Sequence, residues 1–165
     1  MAYLVDASIL IEAKQRYYRF GLAPGRWFWP LLVRANGAGL VASAHHMRGE
    51  MLPAEDELTE WAKARGPEFW LPEDGATVQA MRDLANWAQG RANAGEIRQG
   101  AVTTFASGDI YLVATAIAGG HTVVTAEVPA PRSKKEIKMP DACAAFGVPW
   151  TDQFTMLEDL ERRLG

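Results

Sequence analysis

The sequence predicts an α/β protein of three layers, α/β/α, in which helices cover both faces of a central parallel sheet of four to five short strands. Short apolar runs alternate with helix-forming stretches along the chain, which is typical of such sheets. The runs Tyr3–Val5 and His121–Thr125 are uninterrupted and apolar, as strands buried on both faces should be. The 165 residues suit one domain over 1–165 with a substantial core.

The first half of the chain is expected to contribute three strands and the helices between them. The expected strands are Tyr3–Val5, Leu40–Ala42 and Phe69–Leu71. The first expected helix begins at about Ser8. Three further helices are expected over Arg26–Ala35, His45–Leu52 and Asp56–Lys63. Residues typical of turns and helix ends separate these elements, namely Gly21–Gly25, Asn36 with Gly37, Pro53, and Gly66 with Pro67.

The second half is less regular. Thr77–Gln89 is predicted to be an amphipathic helix, whereas Gly90–Gly100 shows no clear pattern. The remaining expected elements follow in chain order: a small apolar helix over Asp109–Ala118, a stop at Gly119 and Gly120, the strand His121–Thr125, a polar Pro-rich loop over Val128–Pro140, a helix over Asp141–Phe146, a last strand over Gly147–Pro149 and a closing helix over Phe154–Leu164.

The composition is that of an ordinary globular protein, with 48% hydrophobic and 22% charged residues. The net charge of −3 argues against a general nucleic-acid coat protein, which would be strongly basic. No stretch resembles a membrane span or a signal peptide. The single cysteine, Cys143, cannot form an internal disulfide. We therefore expect a cytoplasmic protein without a membrane partner.

Acidic residues follow the predicted strands. In open α/β sheets, ligands bind outside the carboxyl ends of the strands. Asp6 follows the first strand, Glu50 comes shortly after the second, and Asp109 opens the helix that leads to the fourth. Thr125 and Glu127 follow the fourth strand. Four carboxylates from different segments are therefore expected to meet at one edge of the sheet.

Carboxylates gathered in this way repel one another, and burial raises their cost further. A bound cation would relieve that repulsion, and oxygen ligands favour magnesium or manganese over zinc. One or two such ions can hold a phosphodiester, activate a water and stabilise the leaving oxygen. The sequence shows no G-x-S-x-G motif, and Cys143 has no marked histidine partner. Metal-assisted hydrolysis is therefore favoured over chemistry with a nucleophilic side chain.

At these residues the chain resembles the PIN domain, the nuclease fold of many toxins in type II toxin–antitoxin pairs. The segment YLVDASILIEA resembles the family's first strand and helix, and VASAHHMRGE resembles the segment that carries its second acid. The block GDIYLVATAIAGGHTVVTAE resembles its hallmark, in which an Asp opens a helix and the next strand ends in Thr-x-acid. The aromatic pairs after the first strand and the stretch EIKMPDAC resemble an uncharacterised prokaryotic PIN-like subfamily.

The resemblance implies a role for each matching residue. Asp6, Glu50 and Asp109 match the three main metal-binding acids. Glu127 matches the variable fourth catalytic acid, where Asp is commoner. Small polar residues that orient acids or bound waters are matched by Ser8 and Thr125. The resemblance thus implies a Mg²⁺- or Mn²⁺-dependent endoribonuclease that acts on RNA as a toxin and has a cognate antitoxin. The aromatic-rich segment Tyr17–Trp29 further predicts an apolar surface that binds this antitoxin or forms a homodimer.

Two other sets of residues leave alternatives open. The basic run of the Pro-rich loop is either a solvated surface or a set of phosphate contacts, and it comprises Arg132, Lys134, Lys135 and Lys138. The aromatic residues between Tyr17 and Trp29 could stack on bases, pack in the core or form an interface; core packing is favoured.

Three other function classes are alternatives to the nuclease. A degenerate PIN-like module would bind RNA or a protein partner without cleavage. A haloacid-dehalogenase-type phosphatase needs a second Asp two residues after the first, where this chain has Ser8, and a receiver domain needs its acceptor Asp after the third strand. His45 and His46 lack zinc-site spacing. Asp141 would approach the acids only if its loop folded back, and it could equally be a helix N-cap.

Overall fold

Five short strands form one all-parallel sheet in the computed structural model, which describes residues 1–165. The strands are β1 (Tyr3–Val5), β2 (Val41–Ala44), β3 (Trp70–Leu71), β4 (Thr122–Val124) and β5 (Trp150–Thr151). Their spatial order is β3-β2-β1-β4-β5, so β1 occupies the centre. Nine helices flank the sheet, and the predicted α/β fold class is confirmed.

The helices are α1 (Ala7–Glu12), α2 (Ala23–Gly37), α3 (His45–Arg48), α4 (Glu57–Lys63), α5 (Gly75–Asn93), α6 (Gln99–Ser107), α7 (Asp109–Gly119), α8 (Met139–Ala145) and α9 (Gln153–Leu164). A π-helical segment, Ala13–Tyr17, continues directly from α1. Gly120 ends α7 in the left-handed conformation, with φ 67°, which glycine adopts without steric cost.

The central strand fixes which residues share an edge. Leu4 pairs in register with Ala42 of β2 and Val123 of β4, and Leu4 and Val123 are fully buried. One residue further on, the backbone N–H of Asp6 donates to the carbonyl oxygen of Val124 at 3.0 Å. Because all five strands run in the same direction, the residues that follow β1, β2 and β4 emerge at the same carboxyl edge.

The structure corrects several boundaries in the second half. Helix α5 extends to Asn93, and the unpredicted α6 covers Gln99–Ser107. Glycine, serine and threonine give α6 little intrinsic helix propensity, whereas its Val102 and Phe105 are buried as it packs on α5 and α7. The last strand is Trp150–Thr151, not Gly147–Pro149, because Gly147 adopts a left-handed turn conformation with φ 68°.

None of the nine helices is by itself long and apolar enough to cross a membrane. The pair α6 and α7 passes that test of length and composition only when taken together, and the pair is bent by 64°.

Candidate active site

A cleft at the carboxyl edge of the sheet brings the four expected carboxylates together. The cleft has a volume of about 680 Å³, and its lining includes Asp6, Glu50, Asp109 and Glu127. These four residues follow β1, follow α3, open α7 and follow β4, respectively. The expected convergence of acids from four separate segments is therefore present in the structure.

Asp6 lies at the bottom of the cleft and is only 7% exposed. It occupies the N-cap position of α1, but its carboxylate makes no capping hydrogen bond. Instead, the Ser8 hydroxyl donates to Asp6 Oδ2 at 2.8 Å, and the Thr125 hydroxyl lies 3.5 Å from the same oxygen. Both residues expected to support the acids thus hold the Asp6 carboxylate in one orientation.

Glu50 and Asp109 both lie near the start of α7. Asp109 is the first residue of that helix, and Glu50 Oε1 lies 3.9 Å from the position that a Cβ on Gly108 would occupy. The N-terminus of a helix carries partial positive charge, so both carboxylates lie where that charge favours an anion. Glu50 is on the exposed rim, whereas Asp109 is half-buried.

Glu127 has a structural contact as well as a place in the cleft. Its Oε2 accepts a hydrogen bond from the backbone N–H of Met139 at 2.7 Å, which satisfies a free donor in the first turn of α8. Its own backbone N–H donates to the Thr125 hydroxyl at 3.1 Å. Glu127 therefore ties the loop after β4 to the start of α8 while one side of its carboxyl group faces the cleft.

The loop after β4 folds back over the sheet edge. Asp141 is not the N-cap of α8, a position that Lys138 occupies; it lies within the first turn. Asp141 Oδ2 accepts a hydrogen bond from the backbone N–H of Ala130 at 2.9 Å, so its carboxylate stabilises the loop and does not line the cleft.

Burial raises the proton affinity of all four carboxylates, and neighbouring carboxylate charges add to this for Glu50, Asp109 and Glu127. Burial raises the pKa of Asp109 to about 7, and the nearby charges of Asp6, Glu127 and Glu50 add to that rise. Burial also raises the pKa of Asp6, although the hydrogen bond from Ser8 opposes this effect. The pKa of Glu50 is raised by burial and by the charge of Asp6. Burial likewise raises the pKa of Glu127, while its bond from Met139 acts in the opposite direction.

The side chains present fit a hydrated hard cation better than a zinc cage. No three carboxylate, imidazole or thiol groups stand close enough to form a ready-made metal cage. Magnesium usually keeps several waters and takes only one or two direct carboxylates, so it requires no such cage. Burial and the charges of three other acids raise the pKa of Asp109, and a bound cation would offset both effects by stabilising the ionised carboxylate.

Sequence reasoning missed a fifth carboxylate, Glu12, which lines the same cleft. Ser8 and Glu12 are four residues apart on α1, and residues at that spacing lie on one face of a helix. The helical spacing from Ser8 was the signal that could have identified it. Glu12 is the last residue of α1, directly before the π-helical segment.

The expected basic run is divided in the structure. Arg132, Lys134 and Lys135 are exposed and form no ion pair, whereas Lys138 Nζ contacts Glu136 Oε2 at 2.6 Å. Lys138 is also near enough to the acids to lower the pKa of Asp109 and Glu127 against the raising effect of their burial. The carbonyl oxygen of Lys134 accepts from the backbone N–H of Arg98 at 2.8 Å, which fixes the loop in place.

The histidines and the N-terminal aromatic residues have separate positions. His46 stacks on Tyr111 with ring centroids 3.8 Å apart, and its Nε2 lies 3.1 Å from the Ser107 carbonyl oxygen. Neither histidine is part of a metal-ligating group.

Phe28 and Trp29 pack in the core as expected, but Tyr17 and Trp27 stay 45% and 39% exposed.

Residues 3–164 match the family described as Domain of unknown function (DUF4411). No curated protein matches the chain, and no solved structure matches it.

Proposed function

The chain belongs to the DUF4411 family, a domain of unknown function, and we propose that it is a metal-dependent endoribonuclease of the PIN kind that hydrolyses RNA phosphodiester bonds. The observation that carries the proposal is the cleft itself. Four acids from separate segments line one recess at the carboxyl edge, where the fold gains nothing from their mutual repulsion. Such an arrangement is expected where a cation and a phosphodiester bind together.

In this proposal Asp6, Glu50 and Asp109 hold one Mg²⁺ or Mn²⁺ ion, with one or two of these carboxylates bound directly and the remainder through the ion's own waters. Such an ion, when bound, polarises the phosphodiester and lowers the pKa of a water molecule. Ser8 and Thr125 keep the Asp6 carboxylate oriented towards the cleft. Glu127 binds a second ion or holds the attacking water, and its bond to Met139 limits how far it can move.

The direct test is RNA cleavage by the purified protein. We expect labelled single-stranded RNA to be cut internally in Mg²⁺ or Mn²⁺ and to stay intact in EDTA, with activity restored by adding either ion. Calcium also binds oxygen ligands but with longer bonds and a more flexible geometry, so it should support little cleavage. Equal cleavage in EDTA would contradict the metal requirement.

The proposed biological role is that of a toxin in a type II toxin–antitoxin pair, acting on cytoplasmic RNA. Its support is the resemblance of the chain to PIN-domain toxins, which is analogy and a weaker argument than the cleft. The buried free thiol of Cys143 is consistent with a reducing compartment. Expression of the chain should arrest growth, and co-expression of a small neighbouring reading frame should relieve the arrest. Growth without arrest would remove the toxin role and leave the nuclease proposal to the cleavage assay.

The exposed lysines of the loop after β4 are proposed to contact RNA phosphates. Lys134→Ala/Lys135→Ala should weaken single-strand binding at low salt and lower the salt slope by roughly one unit of log K per log salt or slightly more, since each lost contact removes about 0.7 and two remove about 1.4. Binding of a labelled strand across a salt series measures this. Arg34→Ala/Arg82→Ala, which removes two exposed arginines outside the cleft, is the control. A slope equal to that of the control would mean that the loop is only a solvated surface.

A partner protein is proposed to cover the exposed aromatic surface, defined by Tyr17, Trp27 and Phe154. Phe154 is 51% exposed and meets the Tyr17 ring edge-on at 5.9 Å, which extends this surface onto α9. Sedimentation should show a dimer, or a complex with an antitoxin, that Tyr17→Ala/Trp27→Ala disrupts. Val78→Ala, at a similarly exposed apolar position on α5, should leave the assembly intact. A monomer that binds no antitoxin would contradict the proposal.

One observation favours a second candidate, a degenerate module that binds RNA or a protein without cleavage. No three of its groups form a ready-made metal cage, and Glu127 is partly engaged at the start of α8. This candidate predicts RNA binding with no cleavage in any metal. The cleavage assay therefore separates it from the nuclease.

A further inference from the structure

The acidic cleft continues into a second recess on the side of Glu50. This second recess has a volume of about 580 Å³, and its lining includes His45, His46, Arg48 and Ser107. Glu50 lines both the acidic cleft and the second recess. A third recess of about 350 Å³ follows, and His45 and Arg48 also line it. We call the second and third recesses together the outer groove. Because neighbouring recesses share lining residues, the outer groove adjoins the acidic cleft at Glu50.

The outer groove carries cations that the chain leaves unpaired. Arg48 and Arg65 line it, and neither forms an ion pair with a carboxylate of the chain. The Nε atom of Arg65 is buried without a hydrogen-bond partner, and its guanidinium lies 5.4 Å from the ring centre of Trp61. Glu68 is near enough for the charge of Arg65 to lower its pKa, but the two side chains form no ion pair, and Glu68 Oε1 accepts from the Gly66 N–H at 2.9 Å.

The strand order places these cations opposite the basic loop. His45 and Arg48 follow β2, Pro72 follows β3, and Arg65 reaches the third recess from the segment before β3. The loop with Lys134 follows β4, on the other side of central β1. In the strand order, Asp6 at the end of β1 therefore lies between the strand that leads to Arg48 and the strand that leads to the basic loop. A polyanion that follows the outer groove to Asp6 would meet the positive charge of Arg48 next to the acids.

We infer that the outer groove binds the continuing backbone of a single RNA strand whose phosphodiester lies over Asp6, with Arg48 and Arg65 contacting its phosphates. This rests on the proposed ribonuclease function and assigns it a second RNA-binding surface. Guanidinium groups match phosphate geometry, with paired N–H donors in a rigid plane. A single strand is favoured over a duplex because Asp6 lies at the bottom of the cleft, where a flexible backbone can reach it more readily.

His45 and the two prolines suit the remaining parts of a nucleotide. His45 is exposed and lines both recesses of the outer groove, and Pro67 and Pro72 line the third recess. An imidazole ring offers a face on which a base can stack, without preference for its sequence. The outer groove thus combines phosphate donors with apolar contacts and would hold RNA of any sequence.

The test is salt-dependent binding of RNA to protein carrying Asp109→Asn, so that the strand stays intact. Arg48→Ala/Arg65→Ala should weaken binding of a long single strand and lower the salt slope by about 1.4, from two contacts of about 0.7 each. Arg48→Lys/Arg65→Lys keeps the charges and should retain most of the slope while losing affinity. Arg34→Ala/Arg82→Ala, which removes two exposed arginines that line none of the three recesses, should match the parent protein.

Unfolding curves, and the lysine variant, separate a lost contact from a misfolded protein. An unchanged slope in folded Arg48→Ala/Arg65→Ala would overturn the inference, and so would a loss seen with duplex RNA alone. Failure of the nuclease proposal has a different signature, because binding is measured without hydrolysis. Wild-type protein that cuts no RNA, together with a lowered slope, would leave the outer groove standing. Metal-dependent cleavage by the wild type together with an unchanged slope would support the nuclease proposal and overturn the outer groove as an RNA-binding surface.

Discussion

Asp109→Asn should lower metal-dependent RNA cleavage by at least about 100-fold while leaving the fold intact. The carboxamide has nearly the shape of the carboxylate, so what is lost is a charged ligand at the start of α7. Loss of residues that only support metal ligands already costs about 10- to 100-fold, and loss of a direct ligand should cost at least as much. Rates of cleavage of a labelled strand, measured at saturating Mn²⁺, give the comparison.

Asp6→Asn and Glu50→Gln should show losses of similar size, since all three acids are proposed to hold the same ion. Glu73→Gln, at an exposed position outside the cleft, is the matched control and should cleave at the wild-type rate. If Asp109→Asn cut RNA as fast as the control, Asp109 would have no place in the site and the assignment of the cleft would be wrong.

Asp109→Asn should also make the metal-free protein more stable at neutral and alkaline pH. An unfolded chain releases the Asp109 proton near pH 3.8, whereas the folded chain retains it up to about 7. Folding therefore takes up a proton between these values, and stability falls as the pH rises through that window and levels off above it. At about 1.4 kcal/mol for each pH unit, the ionised form costs the folded state about 4 kcal/mol.

Chemical unfolding in EDTA from pH 4 to pH 8 measures this cost. The wild-type free energy of unfolding should decrease across the range, whereas that of Asp109→Asn should decrease less and exceed the wild-type value at pH 8 by up to about 4 kcal/mol. Saturating Mg²⁺ should stabilise the wild type and not the variant, because ligands that bind only the folded state raise its stability. Lower stability of the three carboxamide variants in EDTA would argue against clustered acids.

The strand ends were predictable because their signals are local. An apolar run that stops at a polar residue identifies both a buried strand and its polar end. This signal placed Asp6 and Thr125 correctly at the carboxyl edge. The position of Asp109 was equally predictable, since Asp109 is the first residue of an apolar helix that ends at two glycines. The parallel sheet then follows from the alternation of strands and helices, which leaves few other arrangements.

The features that sequence reasoning missed depend on contacts between distant segments. Helix α6 has weak helical propensity and is stabilised by packing on α5 and α7. The bond between Asp141 and Ala130 forms only because the loop folds back, so the sequence alone left open whether Asp141 caps a helix or approaches the acids. The outer groove joins Arg48 to Arg65 across seventeen positions of the chain, and no spacing rule connects them.

Calorimetric titration of Mn²⁺ into metal-free protein tests the central claim most directly, because it detects the ion without RNA or turnover. We expect wild-type protein to bind one or two Mn²⁺ ions, Glu73→Gln to bind them equally well, and Asp109→Asn to show no binding in the same range. Binding should release protons near pH 7, since Asp109 is then partly protonated and must ionise to act as a ligand. Absence of Mn²⁺ and Mg²⁺ binding by the wild type, or equal binding by Asp109→Asn, would contradict the metal site on which the proposed function depends.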